Sequence, residues 1–345
     1  MNLAQSLSVF FSLYFLAFLP GYFVLAHTKK FKSAFLTLLP LHLLILALPF
    51  LISPGHQLIR FFLFIPLFSL VIQNLNQADR IAKGKIPALS FRGYLSNMAS
   101  GFGGEEHGTP SRRSRERNLR AGIRYLRFGL VKFLFTSFLI LANTYFRTPE
   151  WGYWVSTASK VMYFYIVAVG LTDFYYGFCL LRGKKVIPIY REPVLATSPW
   201  DFWSNRINLY VGQSLYKYIF LPLANRIGAG TAIFATFLFS GLIHEYQFDI
   251  SSSKITGYLL IFFSLQGLAV VAELNLKKIL RRRFTPFYKK ASLSPALPYI
   301  LVPLQIAFMI LTGSIALKSF DLIIDLHNIG PVREWLQASF LPLFP

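Results

Sequence analysis

The sequence predicts an all-α fold: a polytopic transmembrane bundle of about eight helices, with one further helix in or on the membrane. Three observations lead to this prediction. The 345 residues are 54% hydrophobic and only 14% charged, whereas soluble domains average about 25% charged residues. The apolar residues form runs of the length that a helix needs to cross a bilayer, about 20 residues. The charged residues are confined to the segments between these runs.

Eight runs are long and apolar enough to cross a membrane, and we expect them to form a single membrane domain, residues 1–345. They are Leu3–Ala26, Ser33–Ile52, Leu58–Leu75, Phe128–Phe146, Val161–Leu181, Thr231–Tyr246, Ile255–Leu276 and Pro298–Leu317. A ninth stretch, Ile207–Leu223, is apolar but contains Asn208, Gln213 and Lys217. Its mixed character favours an interfacial or re-entrant helix.

The basic segments predict the orientation, because Lys and Arg concentrate on the cytosolic side of membrane proteins. Residues Asn76–Arg127 hold eleven Lys and Arg against four acids, and Lys277–Lys290 hold seven against none. Basic and neutral loops alternate if the eight runs cross and Ile207–Leu223 does not. We therefore expect 76–127 to be a long basic cytosolic loop and both termini to lie on the opposite side. The membrane would be the endoplasmic reticulum in a eukaryote or the inner membrane in a bacterium.

The loop itself allows two interpretations. Residues Ser100–Ser114 are rich in Gly, Ser and charge, which indicates a flexible segment. Alternatively, Arg112–Arg127 forms a basic helix that holds anionic lipid headgroups or attracts a phosphate-bearing substrate. The net charge of +21 does not indicate nucleic-acid binding, because the basic residues lie in loops between apolar runs. The single cysteine, Cys179, excludes a Cys-rich zinc site, and we expect no metal.

Chemistry is expected where polar residues interrupt an apolar run, because they cost free energy there. In Thr231–Asp249 the interrupting residues are Ser240, Gly241, His244 and Glu245. Ser240 and His244 are four apart and share a helix face. Histidine titrates near neutrality and can act as a general base. The alternative is that His244 only forms a hydrogen bond within the bundle.

A second polar segment is Ser198–Asn208. Ser198 and Pro199 predict a helix start, with the serine as N-cap and the proline at the first helical position. Asp201 would lie in the first turn, where negative charge is favoured. Asp201 and Arg206 are five apart, so we do not expect them to pair on one α-helix. A structural and a functional role are equally compatible with this segment.

Taken together, the two segments resemble the wax-synthase-like branch of the membrane-bound O-acyltransferase superfamily. That branch has a Ser-x-x-Asp-Phe-Trp-Gly-Arg-Arg-Trp-His/Asn block followed by a Ser-Gly-x-x-His-Glu block. The matching positions are Ser198, Asp201, Phe202, Trp203, Arg206 and Asn208, then Ser240, Gly241, His244 and Glu245. The resemblance covers Ser198–Asp249, the expected catalytic segment (198–249). The chain departs from the pattern at Ser204, Asn205 and Ile207.

The resemblance implies transfer of an acyl group from acyl-CoA to the hydroxyl of a lipophilic alcohol, giving a wax ester or an acylated terpenoid-like metabolite. His244 would be the general base and Asn208 its polar partner. Other positions would contact the substrates. Glu245 would support those residues without contacting the substrates itself. The expected substrate contacts are Arg206, Asp201, Trp203 and Ser240. Acyl-CoA would be a co-substrate with no bound cofactor, and the other partners would be the alcohol and membrane lipids.

Two other classes are compatible with parts of the sequence. A proton-coupled transporter would use His244, Asp173 and Glu273 as its path. A non-catalytic membrane scaffold would leave the polar run around His244 without a purpose. Glu273 is also four residues from Lys277, a spacing that predicts an ion pair. His42, inside an apolar run, is expected to form a hydrogen bond within the bundle.

Overall fold

A computed structural model describes residues 2–86, 90–99, 112–145, 152–183, 188–283 and 297–323, and every regular element in these ranges is helical. The all-α prediction is therefore confirmed. The α-helices are α1 (Leu3–Leu16), α2 (Phe18–His27), α3 (Phe31–Ala47), α4 (Gln57–Ala82), α5 (Phe91–Ala99), α6 (Arg112–Tyr145), α7 (Gly152–Leu181), α8 (Pro199–Asp201), α9 (Leu209–Leu215), α10 (Leu221–Ile227), α11 (Ala229–Ser252), α12 (Tyr258–Arg283) and α13 (Leu297–Asp321).

In the residues that the structure describes, five helical stretches are long and apolar enough to cross a membrane. They are Leu3–His27, Phe31–Leu51, Gln57–Ala82, Tyr258–Arg283 and Leu297–Asp321. The chain is therefore a multi-pass helical membrane protein. These stretches coincide with five of the eight predicted spans. The described residues of the other three predicted spans fall within α6, α7 and α11, and their crossing of the membrane stays a prediction.

The described helices pack into two compact units. The expectation of a single membrane domain stays a prediction. Unit 1 comprises Met1–Glu105 and Ile243–Thr256, and unit 2 comprises Glu106–Leu242 and Gly257–Pro345. Helix α11 contributes to both units, because the boundary falls between Leu242 and Ile243. The same boundary divides the expected catalytic segment 198–249 between the two units.

The segment 76–127, expected to be a loop, is largely helical in its described residues. Helix α4 continues to Ala82, α5 occupies Phe91–Ala99, and α6 runs from Arg112 to Tyr145 without a break. Residues Arg112–Arg127 thus form the first half of a long helix, as the second interpretation of this segment required. Arginine is a good helix former, so the basic sequence does not interrupt the helix. Residues 100–111 lie outside the described ranges.

Unit 1 has an apolar core that encloses a small polar cluster. The core includes Phe10, Leu38 and Leu67, each at most 1% exposed. The cluster consists of His42, Asn74 and Tyr94. The Asn74 Nδ2 atom lies 3.3 Å from His42 Nε2, and the Tyr94 hydroxyl donates to Asn74 Oδ1 at 3.0 Å. The expectation that His42 forms a hydrogen bond within the bundle is confirmed.

A buried arginine of α4 holds the end of α11 in unit 1. Arg60 is 3% exposed, and its guanidinium donates to the carbonyl oxygens of Ile52 at 2.8 Å and Ile250 at 2.9 Å, and to Ser253 Oγ at 3.1 Å. The last carbonyls of a helix have no partner within it, so Arg60 satisfies part of the end of the helix that carries His244. Sequence reasoning missed Arg60, although a cation in a predicted span is itself a signal.

Glycines allow close helix packing in unit 2. A Cβ atom on Gly122 of α6 would lie 2.9 Å from the carbonyl oxygen of Gly177 in α7, and one on Gly129 would lie 3.1 Å from that of Gly170. The two glycines on each helix are seven residues apart, so both contacts lie on the same helix faces. In lipid, the burial of apolar side chains does not by itself drive helices together. Close packing contributes instead, and small residues allow the two backbones to approach.

Candidate active site

The Ser198–Asn208 segment begins as predicted and then changes its helical geometry. The Ser198 hydroxyl accepts a hydrogen bond from the N–H of Asp201 at 3.2 Å, with Pro199 at the first helical position. The predicted N-cap is therefore confirmed. After α8 the chain widens into a π-helical turn, Phe202–Arg206, in which the N–H of Ile207 donates to the carbonyl of Phe202 at 3.0 Å. Such turns are rare and frequently occur at functional sites.

The π-helical turn brings Asp201 and Arg206 together, so our expectation that they would not pair was wrong. Arg206 Nε lies 2.7 Å from Asp201 Oδ2. An α-helix places residues three or four apart on one face, but a π-turn closes over five residues and aligns positions i and i+5. Asn205, one of the departures from the family pattern, donates to Asp201 Oδ1 at 3.1 Å.

Several donors converge on the Asp201 carboxylate. Burial by itself raises the pKa of Asp201, but hydrogen bonds from Arg206, the backbone N–H of Thr197 and Asn205, with the positive charge of Arg206, outweigh it. The pKa of Asp201 is therefore below its ordinary value. The carboxylate stays ionised and holds the turn in one conformation.

Arg206 is also bound to the backbone of a preceding segment. Its Nη1 atom donates to the carbonyl oxygens of Glu192 at 3.1 Å and Arg191 at 3.5 Å. We call Ile189–Glu192 the strap, because two backbone hydrogen bonds also tie it to the turn. The Arg191 N–H donates to the Arg206 carbonyl at 2.8 Å, and the Leu209 N–H donates to the Ile189 carbonyl at 3.0 Å. Arg206, expected to contact substrate, is thus engaged by protein groups.

Asn208 has an unusual backbone and an uncommitted side chain. Its φ of 42° and ψ of 52° place it in the left-handed region, where asparagine is enriched among non-glycine residues. Its carbonyl accepts from the N–H of Gly212 at 2.8 Å and so starts α9. Its side-chain amide is half-buried and makes no hydrogen bond to any residue in the described ranges. The amide therefore retains its capacity to donate to a ligand.

Trp203 connects the turn to two helices of unit 2. Its indole N–H donates to Gln266 Oε1 on α12 at 2.9 Å, and its ring packs edge-on against Phe237 at 5.5 Å between centroids. Gln266 is fully buried and donates in turn to Thr312 Oγ1 on α13 at 2.8 Å. Trp203, expected to contact substrate, has its N–H and part of its ring committed to protein contacts.

Helix α11 carries the second group of predicted residues. Ser240 is buried, and a Cβ atom on Gly241 would lie 3.1 Å from Phe263 Cβ and 3.2 Å from Leu260 Cα. The backbone of α12 therefore approaches α11 closely at Gly241. His244 is half-buried and follows Ser240 by one helical turn. Ser240 belongs to unit 2 with Asn208, whereas His244 belongs to unit 1.

Glu245, next to His244, holds the turn after α11 in unit 1. It is 6% exposed, and its Oε1 atom accepts from the backbone N–H of Thr256 at 3.2 Å and from the Thr256 hydroxyl at 2.8 Å. Together with Arg60, it fixes the C-terminal end of the helix on which His244 lies. The expectation that Glu245 supports the site without taking part in it directly stays a prediction.

The two acids of the transporter hypothesis are both engaged in ion pairs. Asp173 Oδ2 lies 2.6 Å from Lys132 Nζ. Glu273 pairs with Lys277, as its spacing predicted, and also accepts from the N–H of Trp200 at 2.7 Å. Sequence reasoning missed Lys132, although it lies inside the predicted span Phe128–Phe146. The comparisons below give the transporter hypothesis no support.

An open basic cleft of about 420 Å³ lies beside this segment in unit 2. It is lined by Trp200, Leu274, Lys277, Lys278, Arg281 and Arg282. The α12 residues in this set follow one face of the helix, at positions i, i+3, i+4, i+7 and i+8. Lys278 and Arg282 are exposed and make no ion pair with any residue in the described ranges. The cleft is therefore suited to an anion with several negative charges.

Comparison with known proteins identifies a group of similar enzymes. The chain is 28% identical over 221 residues to the probable long-chain-alcohol O-fatty-acyltransferase 6 of Arabidopsis thaliana, a match covering 62% of this chain and 58% of that protein. It is 32% identical over 143 residues to number 7 and 38% identical over 105 residues to number 3 of the same plant. The corresponding shares are 39% and 28% of this chain and 40% and 31% of those proteins.

The chain thus matches less than two thirds of the length of each of these three relatives. No family model matches the chain. The similarity nevertheless extends to several probable or putative long-chain-alcohol O-fatty-acyltransferases from one plant. The chain is therefore similar to probable long-chain-alcohol O-fatty-acyltransferases over part of its length.

Proposed function

We propose that this protein transfers a fatty acyl group from acyl-CoA to the hydroxyl of a long-chain alcohol and so forms a wax ester. The observation that carries the proposal is its similarity to several long-chain-alcohol O-fatty-acyltransferases. The Ser198–Asn208 and Ser240–Glu245 blocks support it from the sequence, because they resemble the blocks of the wax-synthase-like branch of the membrane-bound O-acyltransferases.

In the proposed reaction His244 acts as general base. A ring nitrogen of His244 takes the proton of the acceptor hydroxyl as its oxygen attacks the thioester carbonyl carbon. The tetrahedral intermediate then collapses: the carbon–sulfur bond breaks, the ester forms, and the leaving thiolate receives the proton from His244. The reaction is an exchange of acyl group and proton, and it needs no redox partner.

The proposed role of Asn208 is to donate a hydrogen bond to the thioester oxygen as negative charge develops there. Two features support this role. The side-chain amide has no hydrogen-bond partner in the described ranges, and the backbone that carries it is held by the strap. A donor that is already oriented needs no rearrangement during the reaction, which is what makes such donors effective.

The basic cleft supports acyl-CoA as the donor. Coenzyme A carries a nucleotide with several phosphates, and Lys and Arg side chains match phosphate oxygens. Lys278 and Arg282 supply such groups, while the 37% exposed Trp200 offers an aromatic face for the base. Because Arg206 is engaged by Asp201 and the strap, we assign the phosphates to this cleft rather than to Arg206.

The proposed arrangement in the membrane follows the charge pattern. The basic segments, including the end of α12, face the cytosol, where acyl-CoA is dissolved, and the alcohol arrives from the lipid. The membrane is the endoplasmic reticulum in a eukaryote or the inner membrane in a bacterium. A site with little water favours transfer to the alcohol over hydrolysis of the thioester.

The test is transfer by the purified full chain in detergent, with radiolabelled acyl-CoA and a panel of fatty and terpenoid alcohols. We expect labelled ester with long-chain alcohols. His244→Ala should lower kcat by about 10²–10⁴-fold, the usual contribution of a general base. The control is His27→Gln, which replaces an exposed histidine of α2 and should retain activity. Full transfer by His244→Ala would refute the mechanism, and no ester with any alcohol would refute the function.

A further inference from the structure

Lys132 lies in an apolar part of α6 and is held by two acids. Its side chain is only 19% exposed, within the predicted span Phe128–Phe146. A cation in such a segment is costly and needs partners. Its Nζ atom lies 2.6 Å from Asp173 Oδ2 on α7 and 3.4 Å from Glu192 Oε1 on the strap. Since Asp173 alone would neutralise Lys132, the second contact calls for a separate explanation.

Glu192 is anchored through both its side chain and its backbone. Its φ of 43° and ψ of 62° place it in the left-handed region, which is unfavourable for a glutamate. Its carbonyl accepts from Arg206 Nη1 at 3.1 Å and from the N–H of Leu195 at 3.0 Å, while its carboxylate faces Lys132. Such a conformation persists only where neighbouring groups hold it in place. Here Lys132 contacts the carboxylate of Glu192, and Arg206 donates to its carbonyl oxygen.

The strap in turn determines the backbone on both sides of Asn208. The Arg191 N–H donates to the Arg206 carbonyl at 2.8 Å, two residues before Asn208. The Leu209 N–H donates to the Ile189 carbonyl at 3.0 Å, one residue after it. Asn208 therefore adopts its left-handed conformation between two bonds to the same strap. Any shift of the strap would move its amide.

We propose that Lys132 is a positioning residue: through the carboxylate of Glu192 it holds the strap, and the strap orients Asn208. Lys132 does not touch the reacting atoms. The proposal rests on the proposed function in one respect, namely that Asn208 contacts the substrate. A purely structural role for Lys132 would change the stability of the fold and leave the turnover of folded protein unchanged. A positioning role changes kcat.

The decisive variant is Glu192→Gln, which weakens the contact with Lys132 and keeps the Lys132–Asp173 pair. The Glu192 side chain is 46% exposed, so the fold should tolerate the change. In the acyl-transfer assay we expect kcat to fall about tenfold, because small displacements of a catalytic group have effects up to about 100-fold. The KM values for both substrates should stay within about twofold. The matched control is Glu116→Gln, which removes an exposed acid from α6 and should leave kcat unchanged.

Two further variants connect the effect to Lys132. Lys132→Arg keeps the cation and should retain most of kcat. Lys132→Met leaves Asp173 as a buried, unpaired carboxylate, so it is combined with Asp173→Asn. The double variant should lose about as much kcat as Glu192→Gln, and adding Glu192→Gln to it should cause no further loss. Independent, multiplying losses would overturn the proposal, because the residues would then act separately.

Hydrogen exchange of the full chain separates this proposal from the proposed function. Glu192→Gln should speed exchange of the amides in 206–212, and Glu116→Gln should not. Unchanged exchange there would overturn the proposal whatever the activity. If the wild type transfers no acyl group, the proposed function fails, and faster exchange would still show that Lys132 orders this turn through Glu192. Faster exchange with an unchanged kcat would overturn the positioning role.

Discussion

Two asparagines, one in each unit, differ in whether the protein uses the hydrogen-bonding groups of the side chain. Asn74 of unit 1 is fully buried, pairs with His42 at 3.3 Å and accepts from the Tyr94 hydroxyl at 3.0 Å. Asn208 of unit 2 is half-buried in a left-handed conformation, and its amide has no partner in the described ranges. The asparagine that is paired with a histidine is thus the one whose hydrogen-bonding groups are already used.

The comparison teaches that residue type and burial do not identify a catalytic group. A His and an Asn within an apolar bundle are also what a stabilising network requires, because buried polar groups must be hydrogen-bonded. What distinguishes Asn208 is unused hydrogen-bonding capacity on a backbone that other groups hold in place. Two predictions test this distinction, and a third tests the ion pair in the turn before Asn208; they follow from the largest expected effect to the smallest.

The first prediction concerns the amide of Asn208. Replacing it by Gly preserves access to the left-handed conformation and removes only the side chain. We expect Asn208→Gly to lower kcat by about 10²–10³-fold, the usual loss for one oxyanion donor, with little change in thermal stability. Acyl transfer and thermal unfolding of the purified variant are the measurements. If Asn208→Gly keeps wild-type turnover, the residue is needed only for its backbone.

The second prediction concerns Asn74, whose loss should affect stability and not turnover. Asn74→Ala leaves buried groups of His42 and Tyr94 without partners, which should cost about 2–3 kcal/mol. Turnover per folded molecule should stay within about twofold. Unfolding in detergent and activity normalised to folded protein are the measurements. Tyr94→Phe is the graded comparison, since it removes one hydroxyl and should cost about 1 kcal/mol. A large loss of turnover in either variant would end the contrast with Asn208.

The third prediction concerns pH and the Asp201–Arg206 pair. The pKa of Asp201 is lowered in the folded protein, so its ionised form stabilises the fold. This contribution is fully present above the unfolded pKa of about 3.9 and is lost as the pH falls through the folded value. The pair is partly exposed, so the effect should be at most about 1 kcal/mol. The stability difference between the wild type and Asp201→Asn should shrink as the pH falls below about 4; a difference that grows would contradict the assignment.

Much of the fold could be predicted because lipid leaves the chain few choices. All backbone groups of a spanning segment must be satisfied internally, so an apolar run of about 20 residues becomes a helix. The predicted runs accordingly coincide with helices, and Ser198 and Pro199 start the helix that their residue types indicate. The secondary structure of the 76–127 segment was harder to predict, because a highly charged segment can still have a high helical propensity. Arg112–Arg127 is such a segment, and it is helical.

The candidate site was less predictable, since its connections join residues distant in sequence. Lys132 and Arg60 could have been found as cations in predicted spans, but their partners could not. Glu192 is 60 residues from Lys132, and Ile250 is 190 residues from Arg60. The Asp201–Arg206 pair is local, yet it depends on a π-helical turn. The expectation of an α-helical spacing therefore excluded a contact that the structure contains.

The sequence by itself determined that this is a multi-pass helical membrane protein, and its two polar blocks pointed to acyl transfer. These properties follow from composition, run length and local residue order, which need no tertiary contacts. Only the tertiary structure decided which polar side chains are already used. Hydrogen-bond partners are set by packing between distant segments, and that packing engages Asp201, Arg206 and Trp203 while the amide of Asn208 keeps its capacity to bind a ligand.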